Sequence, residues 1–256
     1  MKFYSTALFL VLSLLFCEVA AQNDKMALVK GGVYLPLYGA ADKTVKVDPF
    51  LMDIYPVTNA EYLAFVEANP QWKKSNAKPL FTDKSYLANW INDNTYPGLP
   101  NAPVTNVSWF AAKKYCECQG KRLPTMDEWE FAAMANETVQ DARKIERYNQ
   151  YILNWYETPK TFKNPIGRTF KNYWGIYDLH GLVWEWTLDF NSVLITGESR
   201  KDVDKDANLF CGSAAIGASD LMNYAAFMRY AFRGSMKARY SSQNLGFRCA
   251  KDLENQ

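Results

Sequence analysis

Apolar positions near the start of the chain fall in short alternating runs. Met26 to Tyr38 predicts a strand, a glycine turn at Gly31-Gly32 and a second strand, and Lys46 to Tyr55 alternates loosely enough to add more strand. The period then lengthens. Thr58-Asn-Ala-Glu61 is a T-x-x-E capping box that opens a helix over Ala60 to Ala68, stopped by Asn69-Pro70. Ser108 caps a second helix, with Trp109, Ala112 and Cys116 on one face and Gly120 at its end. A second box, Thr125 to Glu128, opens a third helix running from Met126 to about Ala135. Gln71 to Pro103 has no clear period, but Trp72, Phe81, Tyr86 and Trp90 are apolar enough to pack it down as an ordered surface excursion. Asp141 to Trp174 reads as irregular, and beyond Thr187 the pattern predicts strand-like runs in loops with no further long helix. Short helices early and irregular strands later describe one loop-rich α+β domain.

Composition narrows this. Aromatic residues make up 15% of the chain and recur throughout, which favours a single aromatic-rich core. Residues 1–21 read as an export signal: Lys2, the apolar run Ala7 to Phe16, and the small residues Val19-Ala20-Ala21. That run is too short to span a bilayer, and nothing later is longer, so the expected product is exported, periplasmic or secreted, with no membrane span. Removing Lys2 and Glu18 leaves the net charge at +2, too near neutral for a nucleic-acid footprint. Signal removal also takes Cys17 and leaves Cys116, Cys118, Cys211 and Cys249. An even number in an exported chain points to disulfides before metal.

The densest chemistry lies in Gly175-Ile-Tyr-Asp-Leu-His-Gly-Leu-Val-Trp-Glu-Trp-Thr187. Glu185 is a charge between two burial-seeking tryptophans and needs a partner, either a metal ion or an arginine. With Asp178 across the Gly181 turn, an oxygen-rich calcium site is one reading, and pairing with a buried Arg is the other.

Six pieces in register resemble one family. They are Gly31-Gly32; Met52 to Asn59 with Glu61; Pro103 to Trp109; Gly120 to Thr125 with Glu128-Trp129-Glu130; Gly175 to Thr187; and Asn244 to Arg248. Together they are similar to the formylglycine-generating enzyme, or sulfatase-modifying factor, family over residues 26–252. The resemblance implies an elaborated C-type-lectin-like fold. It implies a structural calcium held by the Asp178 side chain, the Gly181 and Val183 carbonyls and the Glu185 carboxylate. It also implies a Cys116–Cys249 disulfide, leaving Cys118 and Cys211 for a second bridge or a reactive thiol pair.

The family oxidises a substrate cysteine with copper(I) held by two thiolates, soft ligands for a soft ion. Here the matching positions fall on or near Asp220 and Ala225, so copper is not expected. His180 is the only histidine, too few for the iron sites of related branches and read as structural. Asp202, Asp204 and Asp206 alternate like a calcium loop, but Ala207 stands where glycine is needed, so they read as solvated. The groove segment, Gly212 to Arg229, is small-residue-rich and suits a peptide or protein segment, with Ser213, Asp220, Tyr224 and Arg229 as its candidate lining. Met228 to Ala238 is similar to tails of an exported accessory branch linked to copper nitrite reductase systems. The leading expectation is therefore an accessory or maturation factor that binds a protein client. The alternatives are an oxidoreductase that modifies a peptide cysteine or another small group through Cys118 and Cys211 or an unrecognised metal, and a lectin-like module in which Asn149 to Tyr156 and the aromatics after Tyr224 hold a ligand.

Overall fold

The computed structural model describes residues 25–37, 43–191 and 221–253, with side chains from 224 onward in the last segment. The expected signal, Ser213, Asp220, Cys211 and the acidic run at Asp202 lie outside the described residues.

Two hairpin arms open the fold. Strand β1 (Met26–Val29) pairs antiparallel with β4 (Phe50–Asp53), and β2 (Gly32–Tyr34) pairs with β3 (Val45–Val47). Gly31 makes the corner between β1 and β2. Its φ is +68°, and a Cβ there would stand 2.3 Å from the Val47 carbonyl oxygen, so only glycine fits. The far end of the chain returns as β7 (Ala250–Asp252), which pairs with β4 and completes the order β1-β4-β7. The first and last described strands thus share one central neighbour, which joins residues distant in the sequence in a single sheet.

Helix α1 (Asn59–Ala68) starts where expected. Thr58 Oγ1 accepts from the Glu61 N–H while the Glu61 carboxylate accepts from the Thr58 N–H, closing the box in both directions. Helix α2 (Trp109–Cys118) is capped by Ser108, and α3 (Met126–Ala133) opens on the same kind of box, Thr125 with Glu128. The excursion between α1 and α2 is ordered as expected: Tyr86 and Trp90 are buried in a core with Tyr62, Tyr115, Trp186 and Phe247.

Two expectations fail. Residues 141–174 are not irregular throughout, because α4 spans Glu146–Glu157. The stretch beyond Thr187 does carry a long helix, α5 (Leu221–Ser235), the longest described. Each packs its apolar side on the other: Tyr148, Ile152 and Leu153 of α4 form one cluster with Ala225 of α5. Helix α4 has no side-chain cap and is rich in Tyr and Asn, so no local signal marks its start. In α5 the apolar residues run almost continuously from Tyr224 to Phe232, which hides the helical period.

The Cys116–Cys249 disulfide is present, joining α2 to the residue before β7 across a separation of 133. Constraining so long a loop in the unfolded chain contributes ~4–5 kcal/mol on loop-entropy grounds. Cys118 is disulfide-bonded as well.

Candidate functional site

The Trp-Glu-Trp turn becomes strand β5 (Trp184–Glu185), paired in parallel with β6 (Leu245–Gly246). Alternation sets Glu185 on the side opposite Trp184 and Trp186, which both pack on the main core. Trp186 enters the main core and donates from Nε1 to the Val107 carbonyl at 2.9 Å. Trp184 stays partly exposed. It stacks on Phe232 of α5 with ring centres 4.8 Å apart, and on Tyr156 of α4 at 4.9 Å.

Those rings form part of the wall of a cavity of about 410 Å³. Four elements build it: Trp129 from α3, Trp155 and Tyr156 from α4, Trp184 from β5, and Phe232 with Arg233 from α5. Gly181, Val183 and Glu185 also reach it, whereas Asp178, Tyr224 and Arg229 do not. The volume falls in the range typical of small-ligand or side-chain pockets. Among the described residues no cysteine, histidine or methionine lines it.

Behind the cavity sits a buried ion cluster. Arg229 grips Glu130 with Nε at 2.9 and 3.1 Å from its two oxygens and Nη2 at 2.7 Å, and Arg233 adds Nη1 at 2.6 Å. Burial raises the Glu130 pKa, but the two guanidiniums outweigh it and hold the carboxyl down to about 2. Both arginines also lie over the Trp129 ring, Arg233 at 4.7 Å. Arg229 was expected in an open groove; it is buried on Glu130 instead, while Tyr224 lies exposed on α5.

His180 is enclosed beside this cluster. Its Nε2 donates to the Ala133 carbonyl at 2.8 Å, which can only accept, so Nδ1 is the acceptor facing Tyr156 Oη at 3.3 Å. Burial, and then the Arg229 charge, depress its pKa to about 3, so the ring is neutral near pH 7. The expected structural role for this histidine agrees with these bonds.

Both carboxylates proposed for calcium are engaged by protein donors. Asp178 accepts from the Gly167 N–H at 2.5 Å and the Thr169 N–H at 2.9 Å, and its backbone sits at φ +61°. Glu185 accepts from Arg248 Nε and Nη2 and from Trp129 Nε1 at 2.8 Å. Those contacts use the lone pairs a cation would need and set a guanidinium beside it, so calcium does not fit at Glu185 in this arrangement. Of the two readings of Glu185, the buried arginine is the one present. Among the described residues no three His, Cys, Asp or Glu side chains converge as a metal site.

A profile for the sulfatase-modifying factor enzyme 1-like domain matches residues 14–253. The chain belongs to this family. It is 30% identical to the formylglycine-generating enzyme of Bos taurus over 83% of the chain and 68% of that protein. It is 29% identical to the mouse (Mus musculus) "Inactive C-alpha-formylglycine-generating enzyme 2", over 90% of the chain and 86% of the relative. PvdO from Pseudomonas aeruginosa superposes with a TM-score of 0.50 at 17% identity, covering 89% of this chain and 94% of PvdO. That likeness supports the shared fold: a single α+β sulfatase-modifying-factor domain with small open sheets. Among the described residues no helix is long and apolar enough to cross a membrane.

Several cavity residues were not singled out from sequence. Glu130 carried the same signal as Glu185, a glutamate directly beside a tryptophan in a burial-seeking stretch, and the same reasoning would have demanded its cationic partner. Trp155 and Phe232 lie in the two aromatic stretches read as ligand-holding, Asn149 to Tyr156 and the aromatics after Tyr224, but only the packing of α4 on α5 shows that they share one cavity with Arg233.

Proposed function

We propose that this chain is an exported accessory or maturation factor of the sulfatase-modifying factor family, one that binds a protein client at the Trp184 cavity and has no cysteine-oxidase activity. The observation that carries this reading is the cavity lining: aromatic rings and one guanidinium stand beside the family's Trp-Glu-Trp strand, with no soft metal ligand among the described residues. Ala225, one of the two positions matched to the copper thiolates, is fully buried in α5 and offers only a methyl group. Asp220, the other, is a hard oxygen ligand by residue type. Copper(I) therefore does not fit the residues this chain supplies. Cys118, the thiol on which an oxidoreductase reading rested, is engaged in a disulfide. The mouse relative whose printed name calls it inactive is a precedent for a family member without the activity.

Export enters the proposal through Lys2, Ala7 to Phe16 and the small residues at Val19 to Ala21. The resemblance of Met228 to Ala238 points to a copper- or respiration-related enzyme as the client class.

Two measurements test it. Protein from Gln22 onward, supplied with copper(I) in air, is incubated with a sulfatase-type cysteine peptide, and the peptide mass is followed. No conversion is expected, and aldehyde formation would overturn the non-catalytic reading. Tagged protein is then recovered from its native export compartment. A specific client should co-purify with wild type and be lost with Trp184→Ala, and its absence would count against the accessory role.

A further inference from the structure

We infer that the Trp184 cavity recognises a carboxylate on a peptide segment, an acidic side chain or a chain terminus next to an apolar residue, through Arg233. This rests on the client-binding reading above and names the chemistry of what the cavity takes.

Charge balance carries the argument. Three guanidiniums, those of Arg229, Arg233 and Arg248, are buried around the cavity, facing two carboxylates, Glu130 and Glu185. Glu185 is neutralised by Arg248 through a fork of hydrogen bonds. Glu130 is neutralised by Arg229 through a second fork, and Arg233 contributes only Nη1 to it. Among the described residues Arg233 is thus the arginine without a carboxylate of its own, and it is the one of the three that lines the cavity. Asp189, the next acid that senses Arg233, keeps its charge but accepts from the Met126 N–H, lies off the cavity lining and makes no ion pair with Arg233. Glu157 and Lys160, also on the lining, are exposed at the rim and opposite in sign.

An excess buried guanidinium in an aromatic enclosure is costly unless an anion completes it. Arg233 is only 6% exposed, so solvent access does little to offset that cost. A single excess charge matches a carboxylate, a planar monoanion suited to a guanidinium fork, better than a phosphate dianion. The walls choose the rest of the ligand. Trp155, Trp184 and Phe232 offer ring faces to an apolar side chain next to the carboxylate, and about 410 Å³ admits a residue or two, not a folded domain.

The test uses the full mature protein and two probes, N-acetyl-phenylalanine with its free carboxylate and N-acetyl-phenylalaninamide without it, titrated by tryptophan fluorescence. Wild type is expected to bind the acid at least about tenfold more tightly than the amide, the scale of one charge-assisted hydrogen bond. Arg233→Met should abolish that preference, leaving Glu130 paired to Arg229. Phe232→Ala should weaken both probes alike while keeping the preference. If Arg233→Met shows no cooperative unfolding transition, Arg233→Lys replaces it, and it should retain a reduced preference because the charge remains without the fork. Equal binding of acid and amide by wild type, no binding of either, or tighter binding of inorganic phosphate than of the acid would each overturn the inference. A client that still co-purifies when the probes fail removes this inference alone. Probe binding without any client removes the accessory role alone.

Discussion

Arg248 donates to both oxygens of Glu185, from Nε at 3.0 and 2.8 Å and from Nη2 at 2.8 Å, with neither side chain exposed to solvent. The remaining guanidinium nitrogen, Nη1, reaches the carbonyls of Asp53 and Ile54. One arginine therefore joins β5 to the end of β4, and everything near the cavity is built on that joint. Replacing Glu185 by Gln leaves a buried guanidinium without its counter-charge, and about 3–5 kcal/mol of unfolding free energy should be lost. Arg248→Met should cost a similar amount. The double variant Glu185→Gln/Arg248→Met is expected to lose clearly less than the two singles summed, since the residual charge is gone. Urea unfolding of the four proteins measures the coupling, and strict additivity would show that the pair does not act as a unit.

The same bonds bear on metal dependence. With Glu185 saturated by Arg248 and Trp129, and Asp178 accepting two backbone N–H groups, stripping divalent cations with a chelator should move Tm by less than about 2 °C, because a ligand stabilises a fold only when it binds the native state. A fall of several degrees, reversed by calcium, would show that a cation displaces Arg248 from Glu185.

What the sequence disclosed follows the range of the interactions involved. Capping boxes at Thr58 and Thr125 were legible because a T-x-x-E pair satisfies backbone donors only three residues away. Glu185 was legible as a buried charge needing a partner, but the choice between calcium and arginine was not. Arg248 lies 63 positions away, and only the β5–β6 pairing brings it near. Helices α4 and α5 were missed because neither advertises a start, and each owes its burial to the other. For the same reason the aromatic stretches Asn149 to Tyr156 and after Tyr224 were legible as ligand-holding, while their convergence on one cavity was not. Its walls come from four separate elements, and the charge excess at Arg233 emerges only after Glu130 is seen to hold two arginines from one helix.

His180 should impose a pH dependence on stability. The folded state keeps it neutral down to about 3, whereas the unfolded chain protonates it near 6.5. Between those values the unfolded state binds more protons, so this contribution is complete above pH 6.5 and is lost as pH falls toward 3. Its slope approaches about 1.4 kcal/mol per pH unit. Glu130, held down to about 2, acts in the same direction but only below its ordinary value of 4.5. Burial raises Asp53 and Asp189, which act in the opposite sense. His180→Asn leaves all of these carboxyls in place. The difference in unfolding free energy between wild type and variant should therefore shrink steadily from pH 6.5 to 4.5, and a constant difference would mean the ring is already charged in the fold.

Gly181 fixes the wall of the cavity. Its φ is +142°, and a Cβ there would stand 2.7 Å from Thr169 Cγ2 and 3.0 Å from Trp155 Cδ2. Gly98 supplies the control, with φ +138° and nothing within 4 Å of an added Cβ. Both glycine-to-alanine changes carry the backbone strain, on the order of 1–3 kcal/mol. Only Gly181→Ala must also push back Trp155, one of the rings that line the pocket. Gly181→Ala should therefore lower Tm further than Gly98→Ala and, unlike it, weaken client recovery and alter the tryptophan emission. Equal losses from the two variants, with the cavity's binding intact in both, would mean that Trp155 yields without consequence and that the Gly181 turn does not set the cavity's shape.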